Sequence, residues 1–179
     1  MSSRSVTIAT YLGTSAVFLI ATVVLALGVR YQASINMTES LPFHVALIEK
    51  GNFRVQRGDL LAFKWVGEGP PLREGLELVK RVAAISGDRV HIEPVEDKNF
   101  PPSWLGEMVA ESPQGQELVR LRIKAFSRTG DPLQPGPTGV IPEQRYLVQG
   151  DHKDSLDSRY SLLGWVRADQ VVGKVVWAW

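Results

Sequence analysis

The segment LELVKRVAAI, residues 76–85, has the alternating pattern of a β-strand rather than the period of a helix. Because successive strand side chains point to opposite faces, one face is predicted to hold Leu76, Leu78, Lys80, Val82 and Ala84. Lys80 therefore lies in the middle of an apolar row. The Lys80 side chain either extends until its amine reaches water or leaves the amine buried and desolvated. In the second case the pKa of the amine lies below its ordinary value. The second outcome would provide a general base.

Further segments of the same kind lie on both sides of this strand. They are short, rich in Val, Leu, Ile and aromatic residues, and separated by Gly, Asn, Asp and Pro. They cover residues 43–50, 59–66, 88–92, 117–125, 145–149 and 170–177. The sequence predicts a mainly β domain of coiled sheets over residues 31–179, because no helical apolar period is sustained there. Within it, residues 93–144 hold most of the prolines and are predicted to be a loop-rich excursion around one strand or hairpin.

The N-terminal region contains the longest apolar stretch. Residues 5–29 carry no charge and are bracketed by Arg4 and Arg30. A helix of this length would reach roughly 37 Å, enough to cross a ~30 Å hydrocarbon core with tilt. The sequence predicts a transmembrane anchor over residues 1–30, with a cleaved signal peptide as the alternative. The short N-terminal tail favours an orientation in which the rest of the chain is translocated.

The composition excludes several classes of function. The 179 residues include 20 basic and 19 acidic side chains, so no nucleic-acid partner is indicated, and the absence of cysteine excludes disulfides and thiol catalysis. The aspartates of segment 150–160 do not have EF-hand spacing, and the sequence predicts no metal and no other cofactor. A Ser-His-Asp triad stays open as an alternative, with three histidines available: His44, His91 and His152.

A serine lies in an extended segment shortly after the apolar stretch. In NMTESLPFHV, residues 36–45, Leu41 precedes a proline and is therefore pushed toward extended geometry. This exposes the hydroxyl and amide of Ser40. Thr38 falls on the same face, where its hydroxyl could donate to an oxyanion formed by attack from Ser40. The alternative is an ordinary polar linker.

Taken together and in this order, the motifs resemble the type I signal peptidases, membrane-anchored serine proteases that use a Ser–Lys dyad. Residues 40–42 (SLP) resemble the nucleophile box beyond the anchor, and 57–59 (RGD) the short box that follows. Residues 79–90 (VKRVAAISGDRV) resemble the lysine box. Residues 150–160 (GDHKDSLDSRY), with the terminal VVGKVVWAW, resemble the last conserved box and the closing strand.

The resemblance implies a signal-peptidase-like coiled β-sheet fold and a role for each matched residue. Ser40 would be the nucleophile and Lys80 the base, and the Thr38 hydroxyl and the Ser40 amide would hold the oxyanion. The last box would support them: Ser155 orients the lysine amine, Asp157 and Arg159 form an ion pair, and Asp151 belongs to the same box.

The spacing of the nucleophile box departs from the general pattern. General signal peptidases usually have two residues between serine and proline, whereas Ser40 and Pro42 enclose only Leu41. This spacing resembles the conjugative-transfer (TraF-type) branch. Members of that branch mature a pilin for a type IV secretion pilus, in some systems by joining its ends into a ring.

The branch implies a setting as well as a substrate. It implies a membrane-embedded pre-pilin as substrate and the lipid bilayer as a partner. The chain would be a single-pass protein of the bacterial inner membrane, with its catalytic domain on the periplasmic side. Two alternatives stay open: a general signal peptidase that removes leader peptides, and a catalytically silent scaffold module of a secretion apparatus.

Overall fold

The computed structural model describes residues 3–35, 40–67, 72–95 and 103–179, with side chains from residue 14 onward within those ranges. The described residues form one long helix, a short 3₁₀ turn and eleven strands. The elements in chain order are α1 Ser3–Arg30, β1 Tyr31–Ile35, β2 Val45–Glu49, β3 Leu60–Lys64, β4 Glu77–Ile85, β5 Arg89–Glu93, β6 Trp104–Glu111, β7 Glu117–Lys124, β8 Gly139–Val140, β9 Arg145–Gln149, β10 Val166–Arg167, the 3₁₀ turn Ala168–Gln170 and β11 Val171–Ala178.

The strands form two antiparallel sheets. The larger has the order β1-β2-β11-β3-β4-β9-β10 and the smaller the order β7-β6-β5-β8. The chain crosses between them in the tight turn after β4, where Gly87 takes a φ of 90° and the Asp88 amide donates to the Ile85 carbonyl at 3.1 Å. The prediction of a mainly β fold is confirmed.

The larger sheet curls until its edge strand reaches β4. Gln32 and Ser34 of β1 donate hydrogen bonds to the two carboxylate oxygens of Glu77 at 3.0 and 2.9 Å, although β1 and β4 are not neighbours in the sheet. An apolar cluster fills the curl. Its members are Leu41, Phe43 and Ala46, with Leu60, Val79 and Val175 packed against them. The segment that follows Ser40 is therefore held inside the sheet.

Strand β4 contributes to all three apolar clusters of the domain. Val79 belongs to the cluster in the curl, Val82 to a second cluster, and Ala83 and Ala84 to the largest cluster, which both sheets supply. The register with β9 shifts at this point, since Val82 lies opposite Val148 and Ala84 opposite Leu147. One extra residue in β4 forms a bulge that changes the side-chain alternation.

The bulge corrects the predicted apolar row around Lys80. Leu78 and Val82 lie together in the second cluster, as expected. Ala84 instead packs in the largest cluster, and Ile85 packs in the second cluster in its place. Leu76 precedes the strand and is exposed. The extra residue reverses the facing of every position after it, which the simple alternation of the sequence could not show.

Within the predicted excursion at 93–144, residues 104–111 form β6 between β5 and β7, a strand that was not among the predicted segments. Gly106 and Glu107 interrupt the apolar pattern of WLGEMVAE, and prolines lie on both sides. The glycine has a packing reason: a Cβ at Gly106 would lie 2.7 Å from the Glu93 carbonyl oxygen. Residues 127–144 follow the prediction more closely, with β8 and two isolated bridges, Phe126 to Pro132 and Pro135 to Tyr160.

Helix α1 covers the predicted anchor and passes directly into β1. The Arg30 carbonyl accepts a hydrogen bond from the Lys50 amide at 2.8 Å, and the Arg30 guanidinium pairs with Glu49 at the start of the sheet. Among the residues whose side chains are described, no helix has the length and apolarity needed to cross a membrane. The transmembrane anchor at residues 1–30 and the catalytic domain at 31–179 stay predictions.

Candidate active site

Lys80 is a buried cation in the middle of β4. Only 3% of the residue is exposed, and its cross-strand neighbour Leu61 belongs to the second apolar cluster. Its amine donates a 2.7 Å hydrogen bond to the Ser155 hydroxyl. Of the two outcomes open to a lysine on an apolar face, the structure shows the desolvated one.

Burial lowers the pKa of the Lys80 ammonium from its ordinary value of 10.5 to about 8. Desolvation is the main cause. The Asp157 carboxylate raises this pKa, Arg159 lowers it and Asp151 raises it, each with a smaller effect. Removing the proton at pH 7 then costs only about 1.4 kcal/mol, so the amine is within reach of base chemistry.

Ser40 is placed by its backbone against the loop that carries Ser155. Its carbonyl oxygen accepts hydrogen bonds from the Asp151 amide at 2.8 Å and the His152 amide at 3.4 Å. Leu41, the next residue, is buried in the curl of the sheet. The Ser40 segment is thus fixed on one side by packing and on the other by this loop.

The Ser40 hydroxyl makes no hydrogen bond with the Lys80 amine within the described part of the chain. Catalytic hydrogen bonds are often loose in a free enzyme and tighten when substrate binds. Thr38, the predicted oxyanion donor, lies outside the described residues, and its role stays a prediction.

Asp157 and Arg159 form a buried ion pair beneath Ser155. The two guanidinium–carboxylate contacts, Nε to Oδ1 and Nη2 to Oδ2, are both 2.8 Å. Asp157 is fully buried, and its carboxylate also accepts the amides of Gly150 at 3.0 Å and Arg159 at 3.2 Å. The carboxylate therefore links the start of the loop to its end.

Arg159 uses its remaining donors on three backbone carbonyls. Nη2 donates to Ser155 at 3.2 Å, and Nη1 donates to Arg122 at 3.2 Å and to Lys153 at 3.4 Å. With the pair to Asp157, all five N–H groups of the guanidinium are engaged. This network fixes the backbone of Ser155, whose hydroxyl oxygen accepts the hydrogen bond from the Lys80 amine.

Asp151 joins the loop to β4 at the surface. Its carboxylate oxygens accept from Arg81 Nε at 3.1 Å and Nη2 at 2.9 Å, while its amide donates to the Ser40 carbonyl. This pair is about one-third exposed on both sides, so its electrostatic contribution is small. Its contribution is geometric, since it holds the Ser40 carbonyl beside the strand of Lys80.

The segment RGD, residues 57–59, supports β4 from the other side. Arg57 donates to both carboxylate oxygens of Asp88, which is fully buried. The Gly58 amide donates to the Val82 carbonyl, and the Val82 amide donates to the Asp59 carbonyl, both at 2.8 Å. These contacts are structural and do not reach Ser40.

The alternatives of metal binding and a histidine triad gain no support from the described residues. The three loop aspartates turn to different cations: Asp151 to Arg81, Asp154 to Lys124 and Arg128, and Asp157 to Arg159. No group of three metal-ligating side chains is found among the described residues. His91 contacts Glu93 in the smaller sheet, and the His152 ring accepts the Asp154 amide.

Gly150 is a site residue that the sequence reasoning did not single out. A Cβ there would lie 2.0 Å from the Ser155 hydroxyl oxygen, 2.5 Å from the Ser155 Cβ and 3.1 Å from the Ser40 carbonyl oxygen. Packing at such a site has no room for a methyl group. Its one signal in the sequence is its place in the segment GDHKDSLDSRY, since the sequence does not reveal its spatial neighbours.

We expect Gly150→Ala to lower kcat/KM by at least tenfold, because the methyl group must displace Ser155 or Ser40. The measurement is the peptide hydrolysis that the resemblance implies, together with thermal unfolding. Gly28→Ala is the matched control, since a Cβ at Gly28 meets nothing within 4 Å. Wild-type kcat/KM in Gly150→Ala would show that the positions of these two serines do not govern the reaction.

Comparisons with known proteins indicate the family of the chain. A family profile described as "Signal peptidase, peptidase S26" matches residues 4–179. The chain is similar to a protein named Signal peptidase I from Rickettsia typhi, with 25% identity over 142 residues, 69% of this chain and 52% of the relative. It is also similar to a protein of the same name from Rickettsia canadensis, with 24% identity over 142 residues, 69% of this chain and 51% of the relative. The chain thus spans about half the length of these curated relatives.

Proposed function

The chain belongs to the signal peptidase family, peptidase S26, and from this we propose that it is a membrane-anchored serine endopeptidase with Ser40 as nucleophile and Lys80 as base. The observation that carries the proposal is the buried Lys80 amine, with its pKa lowered to about 8 and its hydrogen bond to Ser155. A structural lysine gains nothing from such burial, whereas a general base needs a pKa near the working pH.

In the proposed reaction, neutral Lys80 accepts the hydroxyl proton of Ser40 as the oxygen attacks a peptide carbonyl. Thr38 and the Ser40 amide stabilise the oxyanion, and loss of one such donor typically costs about 10²–10³ in rate. Lys80 then returns the proton to the leaving amine, and the acyl-enzyme passes to water or to another amine. Ser155 keeps the lysine amine oriented through both steps.

Two strand edges that have no partner strand among the described residues support binding of an extended peptide. Residues 77–80 of β4 pair with β3 on one side, but pairing with β9 on the other side begins only at Arg81. Strand β1 pairs only with β2 in the described sheet, and its side chains contact Glu77. A substrate strand added between these edges would run toward Lys80.

We propose a pilin precursor of a conjugative type IV secretion system as the substrate, with ring closure as the outcome when the attacking amine is its own N-terminus. The support is the single residue between Ser40 and Pro42. A second candidate is general removal of leader peptides, which the name Signal peptidase I of both Rickettsia relatives favours.

We further propose that α1 anchors the chain in the bacterial inner membrane as a single pass, with the catalytic domain on the periplasmic side. The charge-free run 5–29 supports this, because its length suits a bilayer core. Ser40 follows the helix by one strand and a short segment, so a bond near the membrane surface would be presented to it. The bilayer and a membrane-embedded precursor are then its partners.

Intact-mass spectrometry of small membrane proteins tests these proposals in cells carrying wild type or Ser40→Ala, with the exposed Ser161→Ala as matched control. We expect Ser40→Ala to accumulate one longer pilin-like precursor. A wild-type product lighter than the linear cleaved pilin by one water would establish ring closure. Retention of leaders on many exported proteins would instead identify a general signal peptidase, and unchanged masses would favour the silent scaffold.

A further inference from the structure

Glu77 is the residue that bridges the two strand edges at β1 and the first half of β4. It begins β4, three positions before Lys80, and is half-buried at the mouth of the curled sheet. One carboxylate oxygen accepts the Gln32 amide at 3.0 Å and the other accepts the Ser34 hydroxyl at 2.9 Å. These contacts span the place where a substrate strand would lie.

The Glu77 carboxylate makes no ion pair with a described residue, although Lys64 of β3 lies opposite it in the register. Both of its hydrogen-bond donors are neutral, and no ion pair to Glu77 occurs within residues 14–35, 40–67, 72–95 and 103–179. The other two carboxylates of the site differ, since the buried Asp157 pairs with Arg159 and the exposed Asp151 pairs with Arg81. A carboxylate has roughly four acceptor positions, so Glu77 still has acceptor capacity for a further donor.

We propose that Glu77 selects substrates that carry a lysine or arginine about three residues from the scissile bond. The inference rests on the proposed function, because the peptide is taken to lie between β1 and the first half of β4. Lys80 marks the position of the scissile bond, and three residues of extended chain cover roughly 10 Å. A basic side chain at that distance would reach the Glu77 carboxylate and form an ion pair with it.

The cation would compete successfully with the present neutral donors. Hydrogen bonds between oppositely charged groups are shorter and roughly twice as strong as neutral ones. Entry of the peptide would also displace water from the mouth, which strengthens the attraction. Because Glu77 is only half-buried, we expect a preference of about tenfold for a basic side chain over an apolar one of equal length.

The test separates binding from cleavage by using the full-length Ser40→Ala chain in detergent micelles. Fluorescent alanine-based decapeptides carry one lysine, norleucine or glutamate at each position in turn, and affinities are read by anisotropy. The same series is measured in Ser40→Ala combined with Glu77→Gln, which keeps the shape of the side chain, or with Glu77→Lys. Glu143→Gln, an exposed glutamate before β9, is the matched control.

We expect lysine to bind about tenfold tighter than norleucine at one position, the preference to vanish in Glu77→Gln, and glutamate to be favoured in Glu77→Lys. Equal affinity for lysine and norleucine at every position, or failure of every peptide to bind, would overturn the inference. Cleavage of the same peptides by the Ser40 enzyme is scored separately. A lysine preference without any cleavage would therefore contradict the proposed reaction while leaving the role of Glu77 intact.

Discussion

Lys80→Met is expected to remove activity and at the same time to stabilise the fold. General bases typically contribute 10²–10⁴ in rate, so kcat/KM should fall by about 10³-fold or more. Lys80→Arg should be equally inactive, because a guanidinium cannot lose its proton. Near-normal turnover in either variant would eliminate Lys80 as the base.

The stability gain follows from the lowered pKa of Lys80. The folded pKa is about 8 and the ordinary value is 10.5, so below pH 8 both states are protonated and the folded state carries the full burial penalty. That penalty is about 3 kcal/mol at pH 7 and fades as pH rises from 8 to 10.5. Lys80→Met also loses the hydrogen bond to Ser155, which offsets part of this gain. We therefore expect the free energy of unfolding to rise by about 2 kcal/mol.

Urea unfolding at pH 7 and pH 10 measures this gain. The difference between Lys80→Met and wild type should narrow at the higher pH, because the neutral amine no longer suffers the penalty of a buried charge. Lys64→Met on the neighbouring strand is the control, since the Lys64 side chain is exposed and its removal relieves no burial of a charge. A difference that is equal at both pH values would contradict the buried-amine explanation.

The second large effect is expected from Asp157→Ala, which should destabilise the domain by about 3–5 kcal/mol. The substitution leaves the Arg159 guanidinium buried without a countercharge and removes the acceptor of the Gly150 amide. Urea unfolding measures the loss. We also expect activity to disappear, because Ser155 loses the backbone contacts that place it.

Two further variants separate the charge from the packing. Asp157→Ala combined with Arg159→Met should be less damaging than Asp157→Ala alone, because no unpaired charge is then buried. Asp151→Ala, at the exposed pair with Arg81, should cost less than about 1 kcal/mol. Equal losses of unfolding free energy in Asp151→Ala and Asp157→Ala would show that burial does not increase the contribution of the Asp157–Arg159 pair to stability.

The sequence was most informative where local pattern and chemistry coincide. Strand alternation around Lys80 predicted an apolar setting, and the structure gives a buried amine in β4. The resemblance assigned Ser155 to the lysine amine, and a 2.7 Å hydrogen bond joins them. Both inferences depend on a few neighbouring residues or on a matched motif, which a sequence displays directly.

The sequence was least informative where contacts are distant along the chain. Strand β6 was missed because Gly106 interrupts its apolar pattern. The glycine is required there because the Glu93 backbone of the neighbouring strand leaves no room for a Cβ. The bulge after Val82 arises from pairing with β9 and leaves no local signal. Glu77 receives its partners from β1 only because the sheet curls. Such features depend on tertiary packing, which no local pattern encodes.

The position of β4 in all three apolar clusters has a consequence for local opening of the domain. A strand that supports every part of the core cannot separate without unfolding the whole domain, so its amide hydrogens should exchange with solvent only at the rate of global unfolding. Among the described residues, the segment at Ser40 is held by the buried side chains of Leu41 and Phe43 and by backbone contacts to a surface loop, so its amides should exchange through smaller openings. Lys80 is then the rigid half of the proposed catalytic pair, and adaptation to a substrate would depend on Ser40.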